Sequence, residues 1–264
     1  MSAATVSASE ATAPVVRRPS TRLIGVAINV AVVLGLLLAW WGVSTSSRYV
    51  AAPGETLRSL WRGLVDGDLG SAAVDTVGSA VVGFAGAAVV GVLGGYLLAV
   101  RPFLGAVMTP LVRCYGSIPH IIFLPILLSA FGVGHQSKIG MAALVSVLPV
   151  LMYTASGVRE VSPLLVKVGR SLDIGVLGMA FRIRLRGAVP SVVVGLRLGF
   201  AAAFLAVVIS EFFGSEAGVG VEMARAYGAF AYDRLLATVV LALAISFTVN
   251  WLFLLLERRL GYRS

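Results

Sequence analysis

Five stretches of this chain run 20 or more residues without a charged side chain: 23–47, 76–100, 114–137, 139–158 and 235–256. A helix needs about 20 mostly apolar residues to cross a hydrocarbon layer about 30 Å thick. Each stretch is therefore long enough to span a membrane. A sixth hydrophobic region, 189–213, is interrupted only by Arg197 and Glu211. The expected fold is all-α: a polytopic membrane protein with six transmembrane helices. Composition agrees. Of 264 residues, 58% are hydrophobic and 12% are charged, about half the usual charged share of a soluble domain. Thirty-three charged side chains cannot coat a soluble globule of this size, which argues against an ordinary cytosolic enzyme. The net charge of +9 fits basic membrane loops better than a nucleic-acid partner. The lone Cys114 permits neither an internal disulfide nor a zinc cluster.

The spans are placed at about 23–43, 76–100, 107–131, 138–158, 190–213 and 235–256. Together they make a transmembrane domain over 22–264, preceded by an Ala-, Ser-, Thr- and Pro-rich tail, 1–21, expected to be disordered. The first span follows Arg17, Arg18 and Arg22, as a secretory signal would, but its apolar run exceeds a signal core and reads as a retained anchor. Lys and Arg favour cytoplasmic loops. With both termini cytoplasmic, 15 of the 21 basic residues fall inside and 6 outside, while acidic residues divide 4 and 8. The expected location is the cell membrane, multi-pass, in contact with lipid.

Between spans, Leu57, Leu60, Trp61 and Leu64 follow Pro53 and Gly54 at helical spacing, predicting a short amphipathic helix at the outer interface. Gly91 and Gly95 form a small-xxx-small pair suited to close helix packing. Pro119 and Pro125 kink the third span and make it a candidate lining of a pathway. The cytoplasmic loop 159–189 is too long for a simple connector. There Ser162 and Pro163 start a helix whose Leu164, Leu165, Val168 and Leu172 share one face, and Asp173-Ile174-Gly175 ends it. That apolar face must cover lipid headgroups or another protein.

No catalytic set stands out. Neither Lys138 nor Lys167 follows a glycine, so the phosphate loop G-x-x-x-x-G-K-[ST] does not occur. His120, His135 and one cysteine make no metal site. His120 reads as a packed interhelical residue rather than a proton relay.

Several motifs together carry a resemblance. They are Ser117-Ile118-Pro119-His120 with Leu124-Pro125; Phe131-Gly132-Val133-Gly134 with Ser137-Lys138-Ile139; Gly195-Leu196-Arg197 and Glu211 with Gly218-Val219-Gly220; and the closing Leu255-Leu256-Glu257-Arg258-Arg259. From about residue 49 to 261 the chain resembles the inner-membrane permease subunit of binding-protein-dependent ABC importers, in particular the nitrate, sulfonate and taurine group. That family carries a cytoplasmic E-A-A-x3-G-x9-I-x-L-P pattern, which forms a coupling helix between the fourth and fifth spans and docks on the ATPase. Here Lys167, Val168 and Gly169 stand at E-A-A, Asp173 at the glycine, and Ile183, Leu185 and Arg186 at I-x-L-P. The chain departs from the pattern at Lys167, Asp173 and Arg186. Aspartate tolerates the left-handed conformation better than most residues, so the turn is expected to survive. Lys167 reverses the charge offered to the ATPase, which points to a dedicated ATPase or to a paired permease bearing the standard loop.

The resemblance implies a transport subunit rather than an enzyme, moving a small solute, an anion such as nitrate, sulfonate or taurine, into the cytoplasm. It implies three kinds of partner: cytoplasmic ATPase subunits, an extracytoplasmic solute-binding protein, and a second permease copy or a paralogue. This chain is expected to bind no cofactor, with ATP held on the partner ATPase. The coupling loop would comprise Ser162, Pro163, Leu164, Leu165, Lys167, Val168, Gly169, Leu172 and Asp173, with Leu185 and Arg186. Pathway candidates are Pro119, Pro125, Arg197 and Glu211; for Arg197 the competing reading is an arginine that reaches headgroups or pairs with backbone. The competing function is a stand-alone secondary carrier or channel, which inverted repeats would announce; none is detected.

Overall fold

A computed structural model describes residues 21–47 and 49–259. The expected disordered tail, apart from Thr21, lies outside the described residues. The chain divides into two units, 1–48 and 49–264. In the first, helix α1 (Thr21–Ser46) is the described element; Ser44 and Thr45 in its last turns donate to carbonyls of Trp41 and Gly42 at 2.8 Å.

The second unit contains α2 (Pro53–Val65), α3 (Asp68–Val100), α4 (Pro102–Gly116), α5 (Leu124–Phe131), α6 (His135–Glu160), α7 (Pro163–Ser171), α8 (Val176–Gly214), α9 (Val219–Gly228) and α10 (Tyr232–Arg259). Helices α2, α4 and α7 each begin with proline at the first helical position, where a missing N–H costs nothing and the fixed φ suits the helix. Helix α2 is the amphipathic helix expected near Pro53. Its Leu60 packs on the cluster of Leu69, Ala72, Val219 and Leu241, while Leu57 and Trp61 stay exposed.

The core is a stack of α3, α6 and α8, held close by small residues. A Cβ on Gly83 would lie 2.6 Å from Ala142, and one on Gly91 2.7 Å from Val150. On the adjoining face of α6, a Cβ on Gly195 would lie 2.8 Å from Tyr153 and one on Gly199 2.7 Å from Val150. Lipid offers no hydrophobic drive between spanning helices, so this backbone approach supplies the packing. The expected role of Gly91 and Gly95 is met, with α6 as the partner. Phe200, Ala203, Phe204 and Val207 of α8 complete the core against Ala80 and Ala142.

Among the described residues, five helices are long and apolar enough to cross a membrane: α1, α3, α6, α8 and α10. The expected third span differs from a single kinked helix. Helix α4 ends at Gly116, a 3₁₀ turn covers His120–Phe123, and the two halves of the span meet at 88°. The break falls before Pro119; Pro125 starts α5 at its second position instead of kinking it, because the first turn needs no proline N–H. The fifth span also extends further than expected. Helix α8 runs through Pro190 from Val176, because one lost hydrogen bond is tolerated in a long packed helix; a π-helical turn at Met179–Arg184 precedes it.

Candidate functional site

Three features stand out: a grooved loop at one end of the stack, the broken span, and a buried polar knot at the other end.

Helix α7 caps the first end. Ser162 sits at its N-cap and its carbonyl accepts from the Leu165 N–H at 3.1 Å. The side chain makes no capping bond, so the serine cap expected from sequence is supplied by backbone alone. The far end closes in a Schellman turn. Asp173 N–H donates to Arg170 O and Ile174 N–H to Gly169 O, both at 3.1 Å, while Asp173 takes φ of 48°. Aspartate thus makes the left-handed turn expected at the glycine position. Gly169 lies buried, with the tips of the Met179 and Ile183 side chains of the π turn packed over it. Behind α7 lies a concavity of about 300 Å³ between Leu165, Val168, Leu172, Ile183 and Arg186. Leu164 and Leu172 are 67% and 68% exposed, and Lys167 is exposed beside them. The structure therefore gathers the loop residues: Pro163, Leu164, Leu165, Lys167, Val168, Gly169, Leu172 and Asp173 on α7 and its turn, with Arg186 facing the groove and Leu185 half-buried in α8.

The broken span holds Pro119. Next to it, the His120 Nε2 is buried and has no hydrogen-bond partner among the described residues, and the ring stands edge-on to Tyr115 at 5.2 Å. The Tyr115 hydroxyl donates to Leu144 O on α6 at 3.1 Å, pinning the end of α4 to the stack.

Arg197 lies elsewhere, on α8, where it pairs with Glu257 of α10 at 3.4 Å, both half-buried. It borders a cavity of about 420 Å³ lined by Phe200, Phe204, Phe247, Asn250 and Phe253.

The polar knot lies at the end opposite α7. Lys138 in the first turn of α6 donates to Glu211 Oε1 at 3.1 Å and to Ala217 O at 3.0 Å. Glu211 Oε2 accepts from Thr76 at 2.8 Å and from Gly220 N–H at 3.1 Å, and Val219 N–H donates to the Thr76 hydroxyl at 2.8 Å. Both ionic side chains are essentially sealed. One carboxylate thus joins α3, α6, α8 and the start of α9. Gly218, at φ 128°, passes directly over the Glu211 carboxylate. Lys138, expected in an outer loop, and Glu211, a pathway candidate, meet here instead. The signal that could have joined them is one cation and one anion just inside two span ends, beside Gly218-Val219-Gly220. Nearby, Arg234 bridges Glu222 at 2.7 Å and Asp68 at 3.1 Å, at the edge of a cleft of about 550 Å³.

The family model of the binding-protein-dependent transport system inner membrane component matches residues 87–262. The chain belongs to this family. It is the membrane-embedded permease subunit of an ABC-type import system. The permease is 26% identical over 253 residues to the taurine transport system permease protein TauC of Escherichia coli K12, covering 92% of this chain and 91% of that protein. It is 29% identical over 239 residues to the riboflavin transport system permease protein RibX of Chloroflexus aurantiacus, covering 89% of each. It is 27% identical over 135 residues to the nitrate import permease protein NrtB of Synechococcus elongatus, covering 51% of this chain and 48% of that one. Its fold is similar to that of the MetNI methionine ABC transporter in an inward-facing conformation, with a TM-score of 0.64, 20% identity, and coverage of 72% of this chain and 95% of that one.

Proposed function

We propose that the permease forms half of a solute conduit with a second copy or a paralogue, and that it carries a small oxoanion of the sulfonate or nitrate class into the cytoplasm. A solute-binding protein would deliver the solute at the α9 end. A dedicated ATPase would dock at the α7 end, holding the ATP that this chain has no motif to bind. On this reading α7 is the coupling helix and both termini face the cytoplasm. The observation that carries it is the α7 groove: an amphipathic helix with Leu164 and Leu172 exposed, closed by the Asp173 turn, standing on the end that gathers the basic loop residues. Similarity to the taurine and nitrate permeases supports the solute class. The energy link is a differential contact, since ATP closure moves the conduit only by holding α7 differently in its two states.

The test is ATP hydrolysis by the assembled complex in vesicles, with binding protein and taurine or nitrate added. Solute should stimulate hydrolysis and uptake, and disruption of residues 162–173 should abolish both. Uptake that persists without ATP would favour a stand-alone carrier.

A further inference from the structure

Helix α4 carries a polar stripe that the coupling and docking surfaces do not use. Thr109, Arg113 and the C-cap Ser117 recur at spacings of four, so they share one narrow face. Arg113 and Ser117 are exposed on the protomer and Thr109 is half-buried. Phe103, Val107 and Leu111 form a separate, exposed apolar face about a third of a turn away.

The depth of this stripe is set by two contacts. The Tyr115 hydroxyl reaches Leu144 O, and Gly116 faces the Leu148 side chain. Leu148 sits midway along the charge-free stretch 139–158 of α6. Arg113 precedes Tyr115 by two residues, about 3 Å along the axis, and follows Arg101 by about 18 Å of helix. Both measures put Arg113 near the middle of a hydrocarbon layer about 30 Å thick. This differs from the inner-end position implied when Arg113 is counted with the basic loops. Among the described residues its guanidinium meets no carboxylate; its backbone carbonyl accepts from Ser117 Oγ at 3.2 Å. A charged side chain at that depth cannot face hydrocarbon cheaply and belongs in a water-filled or protein-lined space. The span also breaks there, at Ser117 to Pro119, and non-helical backbone at membrane depth is tolerated where it lines such a space.

We propose that Arg113, with Thr109 and Ser117 beside it, forms an oxoanion-binding step at mid-depth of the solute path. This rests on the conduit reading above. A guanidinium offers paired N–H donors that match a sulfonate or nitrate, and the Thr109 hydroxyl adds a donor on the same face, while Ser117 Oγ, which donates to the Arg113 carbonyl, braces the turn. The site requires no protein counter-charge, because the passing anion supplies it.

The test is thiol labelling of the assembled complex in vesicles, in a Cys114→Ala background. Thr109→Cys and Ser117→Cys are each treated with a sulfonate-bearing and a trimethylammonium-bearing methanethiosulfonate, with rates corrected for intrinsic reactivity. Labelling by the sulfonate reagent should be faster by about tenfold, as a focused positive potential requires. Arg113→Gln should erase that preference and Arg113→Lys should keep it. Leu111→Cys should react with neither reagent. Cysteines at 109 and 117 as inert as at 111, equal rates with the two reagents, or a preference surviving Arg113→Gln would each overturn the proposal. ATP-driven uptake by the unlabelled complex separately scores the conduit reading, so a complex that moves no solute but shows the charge preference rejects that reading alone.

Discussion

Lys138 Nζ on α6 lies 3.1 Å from Glu211 Oε1 on α8, and both side chains are closed off from the surface of the protomer. Removing one partner of such a pair strands the other, at a cost of about 3–5 kcal/mol, whereas replacing both by apolar groups is often neutral. Glu211→Ala and Lys138→Ala should therefore each sharply lower the thermal stability of the purified complex in detergent. Lys138→Met with Glu211→Leu should recover much of it, although Gly220 N–H and Thr76 lose their acceptor. Two single losses that simply add in the double variant would argue against a stabilising ion pair.

Gly218 combines a left-handed φ of 128° with direct contact on the Glu211 carboxylate. Gly218→Ala should destabilise the complex by several kcal/mol, from backbone strain and the displaced carboxylate together. Gly70→Ala, in α3 with open space around it, should be neutral or slightly stabilising. Melting curves of the two variants side by side check this.

The α3–α6 crossing depends on missing side chains. Gly91→Leu should block assembly or cut its yield severely, because a Cβ already falls 2.7 Å from Val150. Gly78→Leu, on the same helix but facing open space, should assemble normally. Size-exclusion profiles of the tagged complexes separate the two outcomes.

At α7, Lys167 is exposed on the face that carries the sequence's departure from the family pattern. Lys167→Glu should weaken co-purification of its own ATPase by about tenfold, consistent with a charge set against its docking partner. Unchanged recovery would show that this charge does not select the ATPase.

Arg197 is satisfied within the protomer by Glu257. Arg197→Ala should leave the apparent solute affinity of the reconstituted transporter unchanged. A rise in the half-saturating concentration of binding protein-delivered solute would return Arg197 to the pathway.

Helix existence was legible wherever the signal was local. The apolar runs of α3, α6 and α10, the proline starts of α2 and α7, and the left-handed turn at Asp173 follow from neighbouring residues. The break in the third span was half-legible. Two prolines marked it, but a proline that kinks and one that begins a helix look alike in sequence, and only the backbone direction separates Pro119 from Pro125. The Lys138–Glu211 knot was illegible because its residues lie 73 positions apart.

The sequence by itself determined that this chain crosses a membrane several times and which family it resembles, because hydropathy acts over a single helix length and motifs over a few residues. Only the tertiary structure decided which ionisable residues are internal ties and which face outward. Glu211, a pathway candidate in sequence, is closed off within the protomer by Lys138, Thr76 and Gly220, and Arg113, counted among the loop charges, lies exposed on α4. The physical reason is that a charge in a spanning segment must find a partner or water, and which of the two it finds depends on the helix packed beside it.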